Sequence, residues 1–312
     1  MKELDVSIIF ATYKRGEILS RTLESFTTLI TDLINYEIIV VDNACEITTK
    51  TLVKSYSNKL PIQYLQESTP GKNSALITGL KASKSDLLIF TDDDIIAQPD
   101  WLIEIVEGVS RFPDCHLFGG KILPDYPSGY EKLTKKIDLT HWFIPSAYVI
   151  ADWEQGEGLI EAGRIWGPNM AVKRAVFESG VNFNPAIGPN GKDYVMGSET
   201  EFLQRASAAG YQAAYLPKAV VLHQIRKEQL SLGWLMGRAF RAGRGHAATK
   251  ANKTAARVFG VPRFLFKKYL LLSAKHLLYR FVDAKKNFDA AIECELVKGQ
   301  IHHYRKMNND KV

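Results

Sequence analysis

The N-terminal third of the chain alternates between two textures. Short apolar runs, VSIIFAT (6–12), YEIIVVDN (36–43), PIQYLQ (61–66) and DLLIFTDDD (86–94), are bounded by polar or turn residues, as expected for strands buried on both faces. Between the first two, Ile18, Leu19, Leu23, Phe26, Leu29, Ile30 and Leu33 recur at helical spacing in GEILSRTLESFTTLITDL. TKTLVKSYSNK follows the second run and GKNSALITGLKAS precedes the fourth, both as helix candidates. Strand and helix in alternation predict an α/β fold, a doubly wound, mostly parallel sheet. Ligands of such sheets collect beyond the carboxyl ends of the strands. Three of the four runs finish in polar residues, ATYKR, VDN and TDDD, so one pocket is expected there.

The texture changes from about residue 118. FGGKILP reads as a strand, EAGRIWGPNMAVKRAVFESG as strand and turn followed by a helix, and GSETEFLQRASAAG as a helix with acids in its first turn, where the macrodipole favours them. YQAAYLPKAVVLHQ reads as an edge strand interrupted by Pro217. The pattern divides the chain into a 1–225 domain and a 226–312 region, mainly helical, basic and aromatic.

Over 312 residues, 46% hydrophobic and 24% charged is close to ordinary globular usage, so disorder is not the default. The net charge is +6, with Lys and Arg gathered after residue 226, which suggests an anionic partner for that region. Phe264, Leu265, Tyr269, Leu272, His276 and Tyr279 form a wide apolar face there, while Lys267, Lys268, Lys275 and Arg280 forbid spanning. Such a helix suits the surface of an inner membrane; packing onto the first domain or homodimerisation explains the same pattern. No nucleic-acid-binding motif accompanies the aromatic and basic residues, so nucleic acid is not an expected partner. Cys45, Cys115 and Cys294 are too few and too scattered for a disulfide framework or a zinc site. With an N-terminal apolar run too short for a signal-peptide core and no run long enough for a span, a cytoplasmic protein, soluble or peripheral on the membrane's cytoplasmic face, is expected.

Asp92, Asp93 and Asp94 follow directly on the fourth strand. Crowded carboxylates raise one another's pKa unless a cation sits among them, and a hard divalent ion would resolve the conflict. The plainer reading is a helix cap, for which one Asp suffices.

In order along the chain, ATYKR, VVDN, GKNSALITGLKAS, FTDDDIIAQPDWL, GPNMAVKRAVFESG, GSETEFLQRASAAG and LPKAVVLH resemble the motifs of family 2 glycosyltransferases, inverting, nucleotide-sugar-dependent enzymes with the GT-A fold. The resemblance covers about residues 5 to 225. It implies transfer of a sugar from a UDP-, GDP- or dTDP-linked donor to a saccharide or lipid-linked saccharide hydroxyl, helped by Mn²⁺ or Mg²⁺ against the leaving diphosphate. By resemblance Asp94 is the metal ligand, with His223 completing the shell, while Asp92 and Asp93, the rest of the DxD-like motif, bind the donor, Asp92 facing the ribose or the metal's water shell. Thr12, Arg15 and Asp42 line the nucleotide pocket. Gly71, Lys72 and Asn73 meet the diphosphate, with Lys72 where the family usually has Arg, and Arg226 is a further diphosphate candidate. Asn169 falls on a family segment between donor sugar and acceptor, and Trp166 beside it offers a flat apolar face of the kind sugars stack on. Glu199 takes the position of the general base, with Glu201 as its rival and Ser198 replacing the usual first acid. A sugar nucleotidyltransferase, with pyrophosphate chemistry on a related sheet, and a non-catalytic sugar-binding scaffold remain the alternative readings.

Overall fold

The computed structural model describes residues 6–32, 34–188, 197–249 and 256–309. The described residues form two compact units, one within 6–125, 149–188 and 198–224, the other within 126–148, 197 and 225–309.

The first unit is built on a nine-stranded sheet. Its strands are β1 (Val6–Thr12), β2 (Tyr36–Asp42), β3 (Ile62–Gln66), β4 (Leu87–Phe90), β5 (Ile95–Ala97), β6 (Cys115–Asp125), β7 (Gly158–Leu159), β8 (Met170–Lys173) and β9 (Gln212–Gln224). The order is β3-β2-β1-β4-β8-β6-β9-β5, with β7 beside β9. The half from β3 to β4 is parallel, as the apolar runs predict. It carries the helices α1 (Gly16–Phe26), α2 (Ile47–Ser55) and α3 (Lys72–Ala82), and α4 (Trp101–Arg111) follows β5. One face of the sheet buries Phe10, Leu23, Phe26 and Trp101, and the other Ile9, Leu76, Phe90 and Phe202. Phe26 stacks on Trp101 with ring centroids 5.9 Å apart.

Two expectations are corrected. Helix α1 ends at Phe26, not at the end of its apolar periodicity: the hydroxyls of Ser25, Thr27 and Thr28 donate to the carbonyls of Thr22, Glu24 and Ser25, offering the backbone a way out of the helix. Leu33 lies outside the described residues. Strand β9 is not an edge strand, because β6 pairs along one side and β5 and β7 along the other. Pro217 is accommodated where the β6–β9 register slips between Gly120 and Lys121, a break at which its missing N–H costs no ladder bond.

Helix α5 (Ser198–Ala208) completes the first unit. The second unit holds α6 (Leu232–Thr249), α7 (Arg263–Tyr279) and α8 (Ala284–Asn309). Ala247, Val261, Leu265, Leu272, Val297, Ile301 and Tyr304 form its core. Gly243 and Gly299 let α6 and α8 approach backbone to backbone: a Cβ on Gly243 would strike the Leu296 carbonyl, and one on Gly299 the Phe240 carbonyl.

Candidate active site

The carboxyl ends of β1, β2 and β4 lie side by side, Thr12 in register with Asp42 and Ile9 with Phe90. Asp92, Asp93 and Asp94 leave the sheet at this rim. They begin no helix, since the next starts at Trp101, so the capping reading does not describe them. Thr22 anchors the turn from below, its hydroxyl donating to the Asp93 carbonyl at 2.8 Å while Gln224 donates to Thr22 at 3.2 Å.

Buried acids at the rim are each matched to a cation or donor. The Thr12 hydroxyl donates to Asp93 Oδ2 at 2.7 Å. Arg15, where α1 begins, places Nη1 2.8 Å from both Asp93 Oδ1 and Asp94 Oδ2. Burial works against the guanidinium's charge, but the three aspartates outweigh it and hold Arg15 above its usual range. His223, on β9 opposite Ile95, brings Nε2 to 3.4 Å from Asp94 Oδ1. Burial lifts the Asp93 carboxyl to about 6; Arg15 opposes the rise, and Asp94 and Asp92 add to it.

A second cluster adjoins through Asp92. Lys72, the first residue of α3, donates from Nζ to Asp92 Oδ1 and, at 2.7 Å, to Glu199 Oε1. Glu199 stands in the first turn of α5, and Ser198 donates to its other oxygen at 2.6 Å. Burial would raise the Glu199 carboxyl, but Lys72 and the Ser198 hydroxyl overcome it and hold it at about 2. The Lys72 and Glu199 side chains are 18% and 20% exposed, so a ligand can reach both. Glu201 instead pairs with Arg205 one turn along α5, at 2.6 Å.

Other sequence candidates are engaged differently. Asp42 is buried, its oxygens taking the N–H groups of Ala44 and Glu46 and the Tyr64 hydroxyl, the pattern of a turn-forming Asp. Burial and this bond push Tyr64 up to about 12. Gly71, at φ 129°, donates its N–H to Asn43 Oδ1 at 2.8 Å. Asn73 is buried and donates to the carbonyls of Asn184 and Ile187. Asn169 is a post inside the protein: its oxygen accepts from Trp101 Nε1 at 2.9 Å, and its amide donates to the carbonyls of Lys121 and Ala219, also at 2.9 Å. Both amide hydrogens are thus committed. Trp166 is half-buried and meets Trp153 edge-on at 5.7 Å. Arg226 belongs to the second unit, where its side chain pairs with Glu228 at 2.7 Å.

Three contributors were not assigned from sequence. Gly167 lies so close to Glu199 that a Cβ there would sit 2.7 Å from its Oε1. Tyr64 and Thr22 brace Asp42 and Asp93. The GPN turn is the one visible sign for Gly167, and an isolated Tyr or Thr on a strand or helix carries none.

Among the described residues, no three His, Cys, Asp or Glu side chains converge as a metal-binding group. Mg²⁺ and Mn²⁺ need less when phosphate is present, one or two carboxylates with phosphate oxygens and water completing the shell. Four carboxylates here share the two cations Arg15 and Lys72. The hard oxygen donors and the surplus of negative charge fit such an ion.

Residues 7–178 match the family model described as Glycosyl transferase family 2. The succinoglycan biosynthesis protein ExoM of Rhizobium meliloti is 28% identical over 254 residues, 80% of this chain and 76% of the relative. A glucosyl-dolichyl phosphate glucuronosyltransferase of Haloferax volcanii is 24% identical over 246 residues, 77% of this chain and 75% of its own. Among solved structures, the mannosyltransferase PcManGT of Pyrobaculum calidifontis in complex with GDP-Man and Mn²⁺ aligns at a TM-score of 0.59 and 16% identity, covering 96% of this chain and 88% of that one. Residues 1–349 of Staphylococcus aureus TarS with UDP-GlcNAc align at 0.56 and 13%, covering 99% and 91%. The fold is shared with these two solved structures.

Proposed function

Since the chain belongs to glycosyl transferase family 2 and is a glycosyltransferase, we propose that it moves a sugar from a nucleotide-sugar to a saccharide or lipid-linked saccharide hydroxyl, with inversion and with a divalent cation. The observation that carries this reading is the paired arrangement at the sheet rim: an Arg15–Asp93–Asp94 cluster beside a separate Glu199 carboxylate, the two joined through Lys72 and Asp92. A single displacement needs such a division, charge stabilisation for the leaving group on one side and a proton acceptor on the other.

In this reading Asp94 and His223 would hold Mn²⁺ or Mg²⁺, which when bound would supply Lewis-acid stabilisation of the leaving diphosphate. Arg15 and Lys72, which occupy the acids of the resting chain, turn toward the incoming phosphates. Glu199 takes the proton of the acceptor hydroxyl. Thr12 keeps Asp93 in place, and Asn169 fixes the rim through Trp101. Inversion is checked by NMR of the product's anomeric carbon, and donor class by thermal shift with UDP-, GDP- and dTDP-sugars plus Mn²⁺, because a ligand that prefers the folded state raises the melting midpoint. A midpoint raised only by nucleoside triphosphates, with pyrophosphate released, would establish nucleotidyl transfer instead.

Lys72 has a definite effect on the base. A carboxylate held near 2 is a poor proton acceptor at neutral pH, so drawing Lys72 toward the donor phosphates strengthens Glu199 when it is needed. Lys72→Met removes the opposing charge and its hydrogen bond while burial stays, so the Glu199 carboxyl rises from its depressed value. Only the ionised base is active, so activity in the variant is lost as pH falls through this higher value. The acid limb of kcat/KM, which reports the free enzyme, should move to higher pH. Weaker donor binding lowers the whole profile but does not move the limb, and a limb in the wild-type position would detach Lys72 from the base.

A further inference from the structure

We propose that the outward face of α7 seats the protein on an anionic lipid bilayer. The inward face is accounted for: Leu265 and Leu272 are buried with residues of α6 and α8, which corrects the expectation that these two belong to an interfacial face. On the opposite side Leu270 is 68% exposed, Leu277 66% and Leu278 64%, with Leu271 and Phe264 also exposed, and Phe281 beyond the helix reaches 85%. At about 100° per residue these positions fall within one arc of roughly 140°. Scattered single leucines on a surface need no explanation, whereas a contiguous stripe marks a binding face.

Charge selects the occupant. From residue 263 to 282 there is no Asp or Glu, while Arg263, Lys267, Lys268, Lys275 and Arg280 are interspersed. Lys268 reaches Glu293 of α8 at 3.4 Å; Lys267 and Lys275 are exposed on the leucine side. A second copy docking through this face would bring two such acid-free faces together, cation against cation. Lipid headgroups bearing negative charge complement it instead, with the Lys and Arg heads at the phosphate level and the leucines in the acyl boundary. No described helix is long and apolar enough to cross a membrane, so α7 lies in the plane of the surface.

The test is flotation of the full chain with vesicles of phosphatidylcholine, with and without phosphatidylglycerol. The chain is expected to float with the anionic vesicles and to do so less as salt is raised. Leu278→Glu and Phe281→Glu, at exposed positions, should keep the wild-type melting midpoint and reduce flotation about tenfold or more. Failure of the wild type to float with anionic vesicles, or variants floating as well as wild type, would overturn the proposal. So would a concentration-dependent dimer in sedimentation that Leu278→Glu disperses, which would give the face to a second copy. None of these outcomes depends on the donor or on catalysis.

Discussion

Glu199→Gln should lower kcat by about 10²–10⁴ while leaving the donor dissociation constant near the wild-type value. The substitution keeps the size and shape of the side chain, so the bond from Lys72 Nζ to the retained oxygen and the close approach to Gly167 can persist. What disappears is the capacity to take a proton. The loss therefore falls on turnover, as it does when a group acts in the transition state alone. Glu201 is the internal control, because it is already paired with Arg205 along α5; Glu201→Gln should change turnover little. If instead Glu199→Gln turns over at the wild-type rate, the base lies elsewhere, and a fall of the expected size in Glu201→Gln would give the role to Glu201, two residues on and about 200° around the helix.

That comparison also separates what residue order conveys from what only the folded chain supplies. The parallel half of the sheet was legible because strands buried on both faces read as unbroken apolar runs, with punctuation where they end. The place of β9 was not, since a strand's own residues do not reveal whether one side or both will be paired, and Pro217 pointed to the wrong answer. The site followed the same division. Arg15, Lys72, Asp92 to Asp94 and Glu199 were each identifiable, yet their pairing was not: Arg15 meets Asp93 across 78 positions and Lys72 meets Glu199 across 127. Asn169 shows the converse. Its motif suggested contact with sugar, but an amide whose every group is satisfied by Trp101, Lys121 and Ala219 holds strands together. On α7 both faces are apolar enough to be core, and only the packing of α8 decides which is covered.

Asp94→Ala should reduce Mn²⁺-dependent binding of UDP or GDP by about 10²-fold or more, read by calorimetry. The acid sits between two groups with different roles, Arg15 at 2.8 Å and His223 at 3.4 Å. In the resting chain Arg15 supplies the positive charge that Asp93 and Asp94 require. A bound divalent ion would take over that task, leaving Arg15 available to the phosphates. Removing Asp94 would take away a hard oxygen ligand and also free Arg15 from half of its pairing; with metal present the two consequences oppose each other, and without metal only the second acts, which does not weaken nucleotide binding. The expected signature is a difference: strong loss with Mn²⁺ present and little or no loss with chelator. Equal losses in both conditions, accompanied by a lower melting midpoint, would mean that Asp94 only supports the turn. Wild-type affinity with Mn²⁺ would remove it from the metal's surroundings, and His223→Ala would then show whether the ion is held at this end of β9 at all.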